Sequence, residues 1–151
     1  MKTEALQDYL TWGDAFVISA GRNPGNPDHA ALTSEEVEAA HLELYAMLRR
    51  VLGPRVPILP TVGVWQGEEE RGWLVCSPNN RAPIVCGMKF GQASVLMLTD
   101  GRGELAYLGK VGGQAGVVRV EPLGPVTWVS WPYPSGYTRV TCEDGDVLFA
   151  C

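Results

Sequence analysis

One segment constrains this chain more than any other. Thr33-Ser34-Glu35-Glu36 has the residue types of a capping box, with Thr33 accepting from the backbone and Glu36 reaching back. Val37, Ala40, His41, Leu44, Leu48 and Val51 then recur at helical spacing as far as Leu52, and Gly53-Pro54 stops the run. Glu35, Glu36 and Glu38 lie in the first turns and Arg49-Arg50 in the last, which suits the helix dipole. A long helix with one apolar face needs a sheet or further helices to cover that face. Around it, 18 Gly and 11 Pro cut the chain into short pieces that read mostly as strands.

Before the helix, residues 3–12 (TEALQDYLTW) form a short helix capped by Thr3 and ended by Gly13. Ala15–Ala20 reads as a strand, and Gly21–Ala31 as an irregular loop with two Asn-Pro pairs. After the helix, Pro57–Trp65 and Gly72–Ser77 read as strands joined across Gln66–Arg71. Asn79–Gly91 reads as a short helix capped by Asn79 or Asn80. Ala93–Thr99 is a buried strand, and Glu104–Gly109 returns as its hairpin partner through Asp100–Gly103. Beyond the flexible joint Gly112–Gly116, Val117–Glu121, Val126–Trp131, Thr138–Cys142 and Val147–Ala150 resemble an antiparallel meander.

The order through residue 99 is therefore β-α-β-β-α-β. That predicts an α+β fold with a ferredoxin-like split sheet, both helices on one face, and a C-terminal antiparallel β extension. A chain of 151 residues suits one domain, here 1–151, with an α+β core over 15–109 and a β-meander extension over 117–151.

Charge and cysteine usage narrow the function. With 12 Lys+Arg against 17 Asp+Glu the formal charge is −5, which argues against gripping a nucleic-acid backbone. No apolar run approaches a membrane span, and MKTEALQDYL lacks a signal-peptide core, so a cytoplasmic protein with no membrane partner is expected. Cys76, Cys86, Cys142 and Cys151 show no Cys-x-x-Cys spacing, so no metal site or cofactor is expected. A hairpin turning at Asp144-Gly145 sets Cys142 opposite Val147, and Cys151 is then too distant for a bridge. Four reduced thiols are the expectation.

Catalytic signatures are missing. There is no nucleophile elbow and no phosphate-gripping glycine loop, and Cys76 and Cys86 sit in apolar contexts that raise a thiol pKa. No catalytic residue is assigned on this basis. Glu68-Glu69-Glu70, read as a loop, is most simply a solvated acidic run, and His41 a core histidine. What remains is an inventory for binding. Nine of the twelve basic residues are arginine, and Arg22-Asn23 open the Asn-Pro loop. Gln92 precedes the buried strand, Glu70 and Arg71 join the two strands around them, and Trp65, Trp73 and Trp131 could stack on a ligand ring. The segment TWVSWPYPSGY has two readings: an exposed aromatic surface at Trp131–Tyr137, or Trp128 and one neighbour in the core with Trp131 and Tyr133 shielding a sheet edge.

In their order, FVISAGRNP, LTSEE, WQGEEERGWLV and KFGQASVLML resemble a small family of bacterial and phage proteins catalogued only as a domain of unknown function. The resemblance covers about Ala15–Leu108. It implies an intracellular α+β domain with Asn23, Glu70 and Gln92 at the family's recurring polar positions, and it implies no chemistry. The chain departs from the pattern at Arg71-Gly72, where a small polar residue is usual, and in its β extension from Gly112.

Three functions fit these residues. The first is a non-enzymatic protein that binds a small anionic or nucleotide-like ligand through Arg22, Asn23, Glu70, Arg71, Gln92, Trp65, Trp73 and Trp131, such as a phage-encoded sequestering or anti-defence protein. The second is a protein–protein interaction module, an acidic inhibitor or virion accessory protein, using Trp131–Tyr137 for a partner or a second copy. The third is an enzyme using Glu70, His41 or both.

Overall fold

The computed structural model describes residues 1–20, 32–79 and 81–151. The element order is α1 (Thr3–Trp12), β1 (Asp14–Ile18), α2 (Ser34–Leu52), β2 (Ile58–Trp65), β3 (Glu68–Cys76) and α3 (Arg81–Lys89). It continues with β4 (Ser94–Thr99), β5 (Arg102–Val111), β6 (Gln114–Pro125), β7 (Thr127–Trp128), β8 (Gly136–Cys142) and β9 (Gly145–Ala150).

α2 forms where its sequence demands. Thr33 Oγ1 accepts from the Glu36 N–H at 3.2 Å and Glu36 Oε1 accepts from the Thr33 N–H at 3.1 Å, completing the capping box. At the far end the Arg49 guanidinium donates to the carbonyls of Gly53 and Val56, tying down the exit from the helix. Just ahead of α3, Asn79 Oδ1 accepts from the Arg81 N–H at 3.1 Å. Asn80 lies outside the described residues.

Among the described residues, all nine strands belong to one antiparallel sheet in the order β6-β5-β4-β1-β3-β2-β8-β9-β7, curled into a half-barrel. This corrects the expected ferredoxin-like α+β split sheet with its own C-terminal meander. Strand outweighs helix, 47% to 27%, and the succession β1-α2-β2-β3-α3-β4 forms the middle of a much wider sheet. The physical reason lies at the edges. Four strands alone would leave unpaired N–H and C=O groups along β4 and β2. Gly112 and Gly113, both at positive φ, fold the chain straight back from β5 to β6 instead of releasing it as a joint. β5 and β6 thus extend the β4 edge, while β8, β9 and β7 extend the β2 edge. The strands after residue 112 are therefore divided between the two ends of the sheet.

Both faces of the sheet are covered. On one, Leu44 and Leu48 of α2 and Cys86 of α3 pack with Phe16, Ile18, Trp73, Val75 and Val95. On the other, Leu6 and Leu10 of α1 pack with Ala15, Leu74, Leu98, Val140 and Phe149. Thr3 was expected to cap α1, but the cap comes from the opposite end of the chain. Asp144 accepts from the Thr3 N–H at 2.8 Å and from the Thr3 hydroxyl at 3.1 Å. These bonds hold the Asp144 carboxyl below its ordinary pKa.

That contact accompanies a second correction. Cys142 faces Gly145, not Val147, so the β8–β9 turn is Glu143-Asp144. No disulfide forms among the four cysteines. Burial raises the Cys86 thiol and pushes Cys76 to about 12, so neither is a thiolate near neutrality.

Candidate functional site

The residues singled out in the sequence fall in three settings. Arg22 and Asn23 lie outside the described residues, as does His29. Trp73 is core: it is 8% exposed, its ring stacks on His41 with centroids 4.3 Å apart, and its Nε1 donates to the His41 carbonyl at 2.9 Å. His41 is itself 2% exposed, and its Nδ1 has no hydrogen-bond partner among the described residues. Burial therefore lowers its pKa and keeps the imidazole neutral. Gln92 is a tie between elements. Its Oε1 accepts from the Ser19 N–H at 3.0 Å and its backbone N–H donates to Gly87. It also borders a shallow depression of about 560 Å³, together with Tyr107 and Arg119.

Trp65, Glu70, Arg71 and Trp131 gather at the other setting, around the tip of the β2–β3 hairpin. Gln66 and Gly67 both have positive φ (51° and 84°), which is the backbone of a two-residue hairpin turn. β3 therefore begins at Glu68, and the acidic run is strand, not loop. Its side chains alternate between faces. Glu68 is paired with Trp65 and Glu70 with Gly63 on one face, while Glu69 is paired with Val64 on the other. Arg71 shares the Glu69 face and makes an ion pair with Glu38 of α2.

β8 completes this corner. Tyr137 is paired with Val64 and Gly136 with Trp65. The Trp65 ring lies so close to Gly136 that any side chain there would collide with it. The Gln66 N–H donates to the Ser135 carbonyl at 2.9 Å, fastening the loop before β8 to the hairpin tip. On the Tyr137 face a chain of rings follows. Tyr133 sits 5.2 Å from Tyr137, and Trp131 stands edge-on to Tyr133 at 5.5 Å.

These rings face water. Trp131 is 80% exposed, Trp65 66% and Tyr133 44%. Single exposed apolar residues are ordinary, whereas here large rings stand exposed on both faces of one corner, Trp65 on one and Trp131 and Tyr133 toward Tyr137 on the other. Glu68, Glu69 and Glu70 are exposed beside them and make no ion pair among the described residues. The cations in the next row already face carboxylates, Arg71 at Glu38 and Arg139 at Asp146, the latter 3.9 Å away. The corner therefore combines aromatic rings with carboxylates that have no ion-pair partner among the described residues.

The TWVSWPYPSGY segment pointed to this surface. Glu70 is among the binding residues expected from the sequence, but Glu68 and Glu69 are not, because the acidic run reads as a loop while the structure makes it the start of β3. The signal was present in Gln66-Gly67, a dipeptide suited to a two-residue turn placed directly after Trp65.

No family model matches the chain, and no curated protein matches it. Among the described residues no group of three or more His, Cys, Asp or Glu side chains is arranged to hold a metal ion, and no helix is long and apolar enough to cross a membrane.

Proposed function

We propose that this protein is a non-catalytic interaction module that docks a partner protein on the aromatic corner formed by Trp65, Trp131, Tyr133 and Tyr137. The observation that carries the reading is the 80% exposure of Trp131 at the end of a chain of rings. Aromatic anchors dominate protein interfaces because each brings a large, rigid contact area at small entropic cost.

A small anionic or nucleotide-like ligand is the second reading. It is favoured by Gln92 and Arg119 on the wall of one depression, with the Arg119 guanidinium 3.9 Å from the Tyr107 ring centroid.

Panning a random-peptide library against the full chain separates the two. On the interaction reading, peptides enriched by the wild type lose at least about tenfold in affinity for a Trp131→Ala/Tyr133→Ala variant that melts normally. Enriched peptides that bind the variant equally well overturn it. A nucleotide that raises the melting temperature of the wild type but not of an Arg119→Ala variant establishes the second reading instead.

A further inference from the structure

The geometry points to a definite occupant for the aromatic corner: we infer that it receives an arginine-rich, cationic segment of another protein. This rests on the interaction reading above and adds the chemistry of the partner.

The exposed rings make the surface, and the charges beside them select what covers it. Each face of the hairpin tip pairs an aromatic ring with a carboxylate. Trp65 has Glu68 directly across the strand pair and Glu70 two residues further along the same face. Directly opposed side chains have Cβ atoms about 5 Å apart, but the Trp65 ring lies over Gly136 on the β8 side, so successive cations of one segment, rather than a single group, would engage the indole and the Glu68 carboxylate. On the other face Glu69 and Tyr137 flank Val64 from its two sides, about 10 Å apart across three strands. Tyr133 and Trp131 continue that face outward.

Aromatic faces carry a negative quadrupole that attracts cations, and arginine adds a planar fork that binds carboxylates bidentately. An apolar segment seated here would strip water from the carboxylates and give them no partner. An anionic one would be repelled by Glu68–Glu70 and by the formal −5 charge of the chain. The nearby Arg71 and Arg139 do not reverse this, because Glu38 and Asp146 already oppose them. The corner lies open on two faces, so a lone small cation gains little contact. Several cations on one chain reach both faces at once, and the linkage multiplies their effect.

The test is fluorescence anisotropy with the full chain and three labelled peptides: one alternating arginine with alanine, its glutamate counterpart, and a neutral proline-rich one. The arginine peptide is expected to bind, and to weaken several-fold between about 50 mM and about 200 mM salt. A Glu68→Gln/Glu69→Gln/Glu70→Gln variant and the Trp131→Ala/Tyr133→Ala variant should each lose about tenfold, while Glu4→Gln/Asp8→Asn on α1 stays within about twofold. Melting curves and near-ultraviolet circular dichroism confirm that each variant keeps its fold.

If the α1 variant weakens binding as much as the hairpin variant, the attraction is only that of net charge and the inference falls. It falls equally if the arginine peptide fails to bind, or if spermine competes as well as the peptide. Binding of the proline-rich peptide alone, lost in the aromatic variant, would refute the cationic partner and leave the interaction reading standing. No aromatic-dependent binding by any of these peptides, or by those from the library, ends both.

Discussion

Trp73 and Trp131 are the same residue in two opposed environments. Trp73 lies on the middle strand β3 beneath α2, stacked on His41 with its N–H satisfied, and is 8% exposed. Trp131 lies in the loop before β8, touches Tyr133 edge-on, and is 80% exposed. The middle of the sheet is therefore a region where aromatic area is spent on holding helices to strands. The hairpin corner is one where it is left to water. On that contrast the corner is expected to contribute little to stability and the covered strands most of it.

The widest separation should appear between Leu44 and Trp131. Leu44 is fully buried, and Leu44→Ala should cost about 2–5 kcal/mol through lost burial and the cavity it leaves. Trp131→Ala should stay within about 0.5 kcal/mol, as for other surface changes. Urea unfolding compares them directly, and comparable losses would abolish the distinction between the two regions.

Trp73→Phe is expected to come next, at about 1–3 kcal/mol, because it removes a buried donor along with part of the stack on His41. A neutral result in the same urea series would mean that the stack does not hold α2 to the sheet.

Acid should affect the covered region through His41. Its folded pKa lies below the ordinary imidazole value, so between the two values the unfolded chain binds a proton that the folded chain refuses. Stability from this group is complete above about pH 6.5 and declines as the pH falls toward the folded pKa. Unfolding midpoints at successive pH values should show the decline, and His41→Leu should flatten it. An unchanged slope in His41→Leu would assign the effect to other groups.

A smaller, local loss is expected where the ends of the chain meet. Asp144→Ala removes the acceptor for the Thr3 N–H, and hydrogen exchange in the first turns of α1 should quicken while α2 is untouched. The folded Asp144 carboxyl titrates below its ordinary value, so its contribution is present above the ordinary carboxylate pKa and disappears as the pH drops through the folded one. Smallest of all is Arg71→Ala. Its ion pair with Glu38 is about half exposed on both sides, and such pairs contribute about 0–1 kcal/mol.

The features legible in the sequence share one property: their causes are near neighbours along the chain. Thr33 and Glu36 are three residues apart, and their capping box begins α2 as expected. The apolar spacing from Val37 onward put His41, Leu44 and Leu48 on the buried face. Glu68–Glu70 were misread for a local reason too, because a run of three acids outweighed the turn in Gln66-Gly67. Cys142 was set against the wrong partner since the Glu143-Asp144 turn is shorter than the one expected.

The cap and apolar periodicity of α2 were thus determined by the sequence alone, because they depend on contacts within a few residues. Which edge each later strand would join was decided only in three dimensions. Pairing β8 with β2 brings together residues more than seventy positions apart in places, and nothing in either segment announces the other. The same distance hid the Asp144 cap on α1 and the meeting of Trp65 with Gly136. Both arise from closing a nine-stranded sheet, in which backbone groups far apart in sequence find partners that neither segment specifies by itself.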